Sequence, residues 1–463
     1  MKVIAVFDVG KTNKKIFLFD EQYRIVWERS VNLSLARDED GEDCEDLRLL
    51  TEWVRESLAV VSALPDIEVR AVSFSAYGAS FVHLGYDGLP VAPLYNYLKS
   101  YPEALRRRFY AAYGGEVTLS MLTASPVLGS LNSGMQLYRI KEERPGLFAQ
   151  IKYSLHLPQY LSFLLTGTAV SDITSIGCHT NLWNFSQQHY HEWVYREGLI
   201  GKLAPIVASG SVLHAGGAAG GHAAEWVVGV GLHDSSAAMI PYLESFRDPF
   251  VLISTGTWCI TMNPFNDAPL TVAELQQDCL CYMSYLGRPV KASRLFAGHD
   301  HEQQVRRLAD HFQRSPDAAA AVGYDAGCAA ALKVWRAARG EAAGQGVSSA
   351  ASPTTASVFG QRDLAEFDGF ERAYHCLMMD IMDQQVTSTR LVLHDTGVRR
   401  IFVDGGFGKN EVYMHLLAAA FPDVEVFAAS ISQATAMGAA LAIHPHWNKR
   451  VLQGDMIEVK SYE

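Results

Sequence analysis

Two short stretches of this 463-residue chain, far apart in the sequence, share one hairpin pattern. Residues 3–19 predict an apolar strand, a polar turn with Gly10 and a second apolar strand, and residues 250–262 repeat this order around Gly256. A glycine turn flanked by Thr, Ser, Lys or Asn directs backbone N–H groups and hydroxyls to one point, which is a way to hold phosphate without a helix. Two such hairpins facing each other would grip a polyphosphate, so ATP is the first ligand to test.

The length of the chain exceeds what one ordinary hydrophobic core supports, so we expect two large domains, residues 1–243 and 244–463. In the first domain, three antiparallel strands precede a helix near residues 47–63 and a strand at 69–75. This order differs from the alternating strands and helices of a dinucleotide-binding fold. Residues 119–165 predict mostly helical structure.

In the second domain, residues 367–394 predict one long helix and residues 400–404 a strand that leads into a glycine turn. Small residues along 433–442 would let a helix approach its neighbour closely. Two stretches rich in small residues, 215–224 and 340–355, predict loops.

Charge and hydropathy exclude several classes of protein. The formal net charge is −11 and no dense Lys/Arg cluster offsets it, so we expect no nucleic-acid partner. No apolar run reaches the length of a membrane span, and the N-terminus has no signal-peptide pattern. The seven cysteines, an odd number, predict buried reduced thiols. These features predict a cytoplasmic protein.

Two groups of residues have side chains of the kinds that bind metals. Cys279 and Cys281 are too close in sequence for zinc-motif spacing, so metal ligation by them is not expected. The cluster at residues 299–302, with His311 nearby, contains His, Asp and Glu. Neighbouring residues on a helix point in different directions, which favours a structural or solvated cluster.

Six motifs follow one another along the chain: FDVGKTNKK from position 7, the TG…SD.T…W segment from 166 to 193, GLHDSSAA from 231, STGTW from 254, DGGFGKN from 404 and QATAMGAAL from 433. In this order and spacing they resemble the motifs of the FGGY family of carbohydrate kinases. The resemblance implies an α/β protein with two actin-like (ribonuclease H-like) ATPase domains and an active-site cleft between them. The first domain would bind the sugar and carry the catalytic Asp, and the second would bind ATP. It further implies transfer of the γ-phosphoryl group of ATP to a sugar hydroxyl, with Mg²⁺.

Phosphoryl transfer needs charge neutralisation, positioning and an acceptor for the proton of the attacking hydroxyl. Asp8 ends a strand beside the first turn, where its carboxylate would hold Mg²⁺ or the waters of that ion. Taken alone, Asp8 could equally be a turn-forming residue. The expected phosphate-binding residues of the two turns are Gly10, Lys11, Thr12, Asn13, Thr255, Gly256 and Thr257.

Asp234 follows an apolar strand and precedes a helix of small residues, and the resemblance implies that it is the general base. Taken alone, Asp234 could be a helix N-cap. The resemblance also implies an adenosine pocket at Gly405, Gly406 and Phe407, with Asn410 at its edge. Whether the Phe407 ring packs against adenine or belongs to the core stays open. Lys291 and Arg294 could face the cleft, which the sequence does not decide.

The resemblance implies sugar contacts at Tyr77, Gly78, Ala79, Asn96, Tyr97, His233 and Asp234. The HDS and STGTW motifs are similar to those of L-fuculose and L-rhamnulose kinases, so we expect a 6-deoxyketose, with L-fuculose ahead. Asn96 stands where many members of the family have an aromatic-Asp-Arg stretch, which changes the hydrogen bonds offered to the sugar. The alternatives are a pentulose kinase and a sensor that binds nucleotide and sugar without catalysis. Asp8 and Asp234 are both present, which disfavours the sensor. A homodimer stays open.

Overall fold

The computed structural model describes residues 1–215, 226–341, 357–394, 396–431, 433–452, 454 and 456–463. Most of the two loops predicted at residues 215–224 and 340–355 lies outside these described residues. The chain divides into two compact units. Unit 1 comprises Met1–Glu244, Cys281–Pro289 and Ser432–Gly454, and unit 2 comprises Ser245–Leu280, Val290–Ile431 and Asp455–Glu463. Two segments of the second half therefore pack with unit 1, whereas the sequence predicted uninterrupted domains at 1–243 and 244–463.

The strands are, in chain order, β1 (Lys2–Val9), β2 (Lys14–Asp20), β3 (Ile25–Val31), β4 (Leu35–Arg37), β5 (Asp43–Glu45), β6 (Glu68–Ala76), β7 (Phe81–Leu84), β8 (Tyr153–His156), β9 (Ser171–Asp172), β10 (Trp183–Asn184), β11 (His189–Tyr190), β12 (Ile206–Val207), β13 (Val212–His214), β14 (Val227–Gly229), β15 (Leu232–His233), β16 (Phe250–Thr255), β17 (Cys259–Asn263), β18 (Cys279–Met283), β19 (Pro289–Leu295), β20 (Arg400–Gly405), β21 (Glu425–Ser430) and β22 (Glu458–Tyr462).

The α-helices are α1 (Leu47–Ser62), α2 (Glu103–Ala112), α3 (Glu116–Thr123), α4 (Ser133–Glu143), α5 (Pro145–Gln150), α6 (Leu157–Thr166), α7 (Ile173–Ile176), α8 (Glu192–Arg196), α9 (Asp234–Ser245), α10 (Val272–Gln276), α11 (Ala297–Phe312), α12 (Ala326–Ala337), α13 (Phe370–Leu393), α14 (Glu411–Ala420), α15 (Ala434–Leu441) and α16 (His444–Trp447). Short 3-10 helices span Gly129–Leu131, Leu199–Lys202, Pro316–Ala321, Val358–Gln361, Leu364–Glu366 and Phe407–Lys409.

The main sheet of unit 1 has the strand order β13-β14-β6-β1-β2-β3. Strand β1 pairs antiparallel with β2 and parallel with β6, and β14 also runs parallel to β6. The edge strands are β13, antiparallel to β14, and β3, antiparallel to β2. The run from Val3 to Phe7 is fully buried. Continuous apolar strands of this kind occur where both faces of a sheet are covered.

The main sheet of unit 2 repeats this arrangement. Its strands follow the order β18-β19-β17-β16-β20-β21-β22, so the six strands from β19 to β22 match the six of unit 1 and β18 is added at one edge. Strand β16 is antiparallel to β17 and parallel to β20, and β22 is antiparallel to β21. The hairpins predicted from the sequence are therefore β1–β2 and β16–β17, and they occupy the same position in the two sheets. The repeat seen in the sequence extends to the topology of the whole sheet.

The helices that cover these sheets follow the expected pattern of apolar residues. Helix α1 begins after Asp46, whose carboxylate accepts hydrogen bonds from two backbone N–H groups. It buries residues spaced three and four apart, such as Leu50, Val54 and Val61 with Leu58 between them. The long helix predicted near 367–394 is α13, which contributes its apolar residues to the core of unit 2. The prediction for residues 119–165 missed β8, which interrupts the helices there and pairs with β7.

Helix α15 shows why small residues occur at 433–442. A Cβ atom at Gly438 would lie 1.8 Å from the carbonyl oxygen of Ala237, so only glycine permits this approach between α15 and α9. Among the described residues, no helix is both long enough and apolar enough to cross a membrane.

Gly405 ends β20 opposite Thr255 of β16, where the two strands come close together. Its φ is +89°, and an added Cβ would lie 1.9 Å from the carbonyl oxygen of Thr255. We expect Gly405→Ala to lower the free energy of unfolding by about 2 kcal/mol or more, because strain and overlap add. The control is Gly406→Ala, since a Cβ there meets nothing within 4 Å. Urea unfolding compares the two, and equal stability of both variants would contradict the assignment.

Candidate functional site

The turn between β1 and β2 leaves backbone donors unused. The Gly10 N–H donates to the carbonyl oxygen of Asn13 at 3.0 Å and closes the turn. In the described part of the chain, no acceptor faces the backbone N–H groups of Lys11 and Thr12. Unpaired N–H groups in a tight turn form an anion-binding concavity. The turn can therefore bind phosphate through its backbone.

The side chain of Lys11 is engaged elsewhere. Its ammonium lies 3.4 Å from a carboxylate oxygen of Glu45 and over the rings of Tyr77 and Tyr97, at 5.6 and 5.4 Å from their centroids. Lys14 is 3.0 Å from the other oxygen of Glu45. Sequence reasoning missed Glu45, whose acidic neighbourhood gave no sign of this buried contact. In this geometry the Lys11 ammonium has partners within the protein, and its backbone N–H is left for a ligand.

Strand β6 holds Asp8 and the segment before Asp234 on its two sides. Ser75 of β6 pairs with Asp8 of β1 on one side and with Leu232 of β15 on the other. Helix α9 begins at Asp234, directly after β15. The carboxyl ends of parallel strands meet at one edge of a sheet, which is where ligands bind in open α/β folds.

The two carboxyl groups interact electrostatically. Burial, and to a smaller extent the negative charge of Asp234, raise the pKa of Asp8 from 3.8 to about 7, and the positive charge of Lys15 opposes both effects. The Asp234 side chain is 35% exposed, so it stays open to a ligand. A cation between two carboxylates would favour the ionised form of both. The pair therefore fits Mg²⁺, which prefers oxygen ligands, with Asp8 as the residue to hold it.

Buried polar contacts fix the segment before Asp234. The His233 N–H donates to the hydroxyl of Thr174 at 3.0 Å, and that hydroxyl donates to Asp172. Burial raises the pKa of Asp172 to about 6, against the opposing effect of its hydrogen bonds. Gly231, with a φ of +87°, accepts a hydrogen bond from Gln159 at 2.8 Å. The SD.T motif thus orients Asp234, a role that its sequence alone did not reveal.

Among the predicted sugar residues, Gly78 and Asp234 lie beside His233, and Tyr77 and Tyr97 pack together. A Cβ atom at Gly78 would come within 2.2 Å of the His233 ring, so glycine makes room for this imidazole. The Nε2 atom of His233 is 3.5 Å from Oδ1 of Asp234, and burial lowers the pKa of the imidazole. Tyr97 packs edge-on against Tyr77 at 5.7 Å, and the charge of Asp234 contributes to raising the pKa of Tyr97, after burial.

Asn96 and Ala79, two of the predicted sugar contacts, have hydrogen-bond partners within the protein. The Asn96 amide donates to the carbonyl oxygen of Asp43 at 3.2 Å and accepts from the N–H of Leu98 at 3.0 Å. The carbonyl oxygen of Ala79 accepts from the Gln136 amide at 2.8 Å. These contacts hold the two residues in place within their loops.

Unit 2 contains a cavity of about 860 Å³ next to the β16–β17 turn. This volume is within the range of cofactor sites. The predicted nucleotide residues that line it are Thr255, Gly256, Gly406, Phe407 and Asn410. The cavity is also lined by His301, which the sequence placed in a structural or solvated cluster, and by Tyr374, which no sequence motif indicated.

The Thr255 hydroxyl is not the free phosphate donor that the sequence predicted. It donates to the carbonyl oxygen of Asp404 at 2.6 Å and accepts from the N–H of Phe407 at 3.0 Å. It therefore joins the ends of β16 and β20. The Gly256 N–H donates to the carbonyl oxygen of Trp258 at 2.9 Å and closes the second turn. The Gly10 N–H closes the first turn in the same way through Asn13.

One wall of the cavity is a chain of polar side chains. Asn410 caps α14 by accepting from the Tyr413 N–H at 2.9 Å, and its amide donates to the Tyr374 hydroxyl at 2.6 Å. That hydroxyl lies 3.0 Å from Nε2 of His301, whose pKa is lowered to about 4 by burial. The Phe407 ring stacks on Tyr413 at 4.6 Å and is 6% exposed, so most of it belongs to the core.

The remaining candidates have structural partners. Within residues 299–302, the side chains contact different groups: His299 stacks on Phe296, Asp300 accepts from the backbone of Ser357, and Glu302 pairs with Arg306. Lys291 pairs with Glu274 at 2.8 Å, and Arg294 binds Asp278 through two nitrogens, at 2.8 and 2.7 Å. The seven cysteines are thiols, not disulfides.

Comparison with known proteins adds an independent finding. The N-terminal domain model of the FGGY family of carbohydrate kinases matches residues 3–240, and the carbohydrate kinase FGGY C-terminal domain model matches residues 247–450. A rhamnulokinase from Mannheimia succiniciproducens is 25% identical over 269 residues, which cover 56% of this chain and 52% of that protein. The chain spans about half the length of the curated relatives it matches.

Solved structures resemble the chain over nearly its whole length. A carbohydrate kinase from Novosphingobium aromaticivorans has a TM-score of 0.79 and 25% identity, covering 99% of this chain and 93% of that one. A glycerol kinase from Plasmodium falciparum, solved with ADP, has a TM-score of 0.76 and 15% identity, covering 96% and 90%. The fold is the two-domain fold of these kinases, with two actin-like domains.

The Asp8–Asp234 pair predicts a pH dependence of stability. Because the pKa of Asp8 is raised to about 7, its stabilising contribution is full below its ordinary pKa of 3.8 and is lost as the pH rises through 7. We expect the difference in free energy of unfolding between Asp8→Asn and the wild type, both without ligand, to favour the variant more at pH 8 than at pH 4. The change should be a few kcal/mol, because each pKa unit is equivalent to about 1.4 kcal/mol. Urea unfolding at both pH values measures this. The exposed Asp423→Asn is the control, and the same pH profile in all three proteins would contradict the prediction.

Proposed function

The chain belongs to the FGGY family of carbohydrate kinases, and we propose that it transfers the γ-phosphoryl group of ATP to a hydroxyl of a small ketose. The observation that carries this proposal is the pair of interacting carboxyl groups, Asp8 and Asp234, at one edge of the unit 1 sheet. A kinase needs one group that takes a proton and another that holds the metal ion.

In the proposed mechanism, Asp234 accepts the proton of the attacking sugar hydroxyl. Its partly exposed carboxylate and its fixed position at the start of α9 support this role. Asp8 would hold Mg²⁺, and the ion would supply positive charge for the phosphate oxygens. The backbone N–H groups of Lys11 and Thr12 bind phosphate, and the cavity beside Phe407 and Asn410 receives the nucleoside.

For the sugar, we propose a 6-deoxyketose, with L-rhamnulose as the first compound to test and L-fuculose as the second. The sequence motifs around His233 and Asp234 favour both sugars, and the matched curated relatives are named rhamnulokinases. The buried, neutral imidazole of His233 beside Asp234 can exchange hydrogen bonds with a sugar hydroxyl. A pentulose is the alternative substrate.

A coupled assay of ATP consumption with Mg²⁺ and a panel of sugars tests this proposal. The panel is L-rhamnulose, L-fuculose, D-xylulose, D-ribulose and glycerol. We expect the highest kcat/KM with one of the two 6-deoxyketoses. A preference for a pentulose would establish the alternative substrate, and binding of sugar without ATP consumption would establish the sensor.

Asp234→Asn tests the general base. The amide keeps the shape of the side chain but cannot accept the proton, so we expect kcat to fall by about 10² to 10⁴. Calorimetry should show that ATP and sugar still bind. Asp423→Asn, an exposed aspartate of unit 2, should retain full activity. A kcat near that of the wild type in Asp234→Asn would exclude this residue as the base.

Gly256→Val tests how closely the nucleotide approaches the second turn. A Cβ at Gly256 meets only the carbonyl oxygen of Trp258, at 3.9 Å, so the protein itself has room for a side chain there. We expect an unchanged melting temperature and about tenfold weaker ATP binding, equivalent to 1.4 kcal/mol. Sugar affinity serves as the internal control. If both ligands bind as they do in the wild type, the turn does not contact the nucleotide.

A further inference from the structure

Three side chains of metal-ligand type meet beside the proposed sugar site in unit 1. One ligand atom from each of Cys178, His179 and His233 lies within 4.8 Å of the other two, and all three residues are buried. This is the sole cluster of its kind found among the described residues. Cys178 and His179 are adjacent in sequence. His233 follows His179 by 54 residues, so the fold brings it close to them.

We propose that Cys178, His179 and His233 form a binding site for a soft divalent cation such as Zn²⁺. A thiolate and two imidazoles are ligands that zinc prefers, whereas Mg²⁺ prefers oxygen. Zn–S and Zn–N bonds of about 2.3 and 2.0 Å at a tetrahedral angle separate sulfur and nitrogen by about 3.5 Å. Sγ of Cys178 and Nε2 of His233 are 3.3 Å apart.

The surroundings prepare the two imidazoles for ligation. Nδ1 of His179 lies 3.3 Å from the carbonyl oxygen of Leu131, and a metal-binding histidine typically uses its second nitrogen in this way. His179 has a φ of +40°, and a strained backbone of this kind is common at functional sites. Burial lowers the pKa of His233, which keeps its imidazole neutral and available to a metal.

Occupation of this site would affect the reaction. Nε2 of His233, which faces Cys178, is also 3.5 Å from Oδ1 of Asp234. A cation bound to Nε2 of His233 would prevent this nitrogen from hydrogen bonding to the sugar. Its positive charge beside Asp234 would also lower the proton affinity of that carboxylate. Zinc should therefore inhibit sugar phosphorylation reversibly, an effect that rests on the proposed function.

Titration of the full-length protein with Co²⁺ in place of Zn²⁺ tests the site directly, without nucleotide or sugar. We expect one equivalent to bind with a thiolate-to-cobalt charge-transfer band and the intense visible bands of tetrahedral cobalt. Cys178→Ser should lose the charge-transfer band, and His179→Asn should weaken binding at least tenfold. Cys328→Ser, a partly exposed cysteine of unit 2, should behave as the wild type. Circular dichroism checks that each variant is folded.

Two results would overturn the site: no charge-transfer band in the wild type, or a band that is retained in Cys178→Ser and His179→Asn alike. The activity arm is separate. If the enzyme phosphorylates a ketose, added Zn²⁺ should reduce turnover in the wild type and Cys328→Ser, a chelator should restore it, and Cys178→Ser should resist it. Cobalt binding without zinc inhibition would retain the site and overturn its effect on the reaction. Cobalt binding by a protein that turns over no sugar would overturn the proposed function alone.

Discussion

The burial of the Asp8 carboxyl group within the field of the Asp234 charge is the constraint on which the candidate site depends. Strand β6 holds the two segments at its end, and burial raises the pKa of Asp8 while the charge of Asp234 adds to that effect. Placing two carboxylates together costs stability in the ligand-free protein, and a bound cation relieves that cost. The buried hydrogen bonds from Asp172 through Thr174 to His233 keep this arrangement in place.

The two sheets share their strand order, yet the same positions carry different chemistry. Asp8 precedes the first turn where Ser254 precedes the second, and Ala76 of β6 corresponds to Gly405 of β20. Unit 1 therefore has a carboxyl group directly before its turn, whereas unit 2 has a cavity next to its turn that glycines, alanines and several polar and charged residues line. Repetition of one scaffold with different side chains explains how each unit supplies one half of the proposed reaction.

The sequence predicted features that short segments encode, and missed contacts between distant ones. Apolar strands, glycine turns and helical spacing identified both hairpins and the long helix α13. The role of the Thr255 hydroxyl could not be predicted, because its partner Asp404 is 149 residues away. The same reason hid the contact of Lys11 with Glu45 and the meeting of His301 with Tyr374. The assignment of Asp8 and Asp234 required the resemblance to a family, since an isolated Asp at a strand end is ambiguous.

Carbon-13 NMR titration of the Asp8 carboxyl group, assigned by loss of its signal in Asp8→Asn, tests this account most directly. The central claim is that burial and the charge of Asp234 together hold the carboxyl group protonated up to about pH 7. The account predicts a titration midpoint near 7, a lower midpoint in Asp234→Asn, and a fall when Mg²⁺ and nucleotide are added. A midpoint near the ordinary value of 3.8, unchanged in Asp234→Asn, would contradict it.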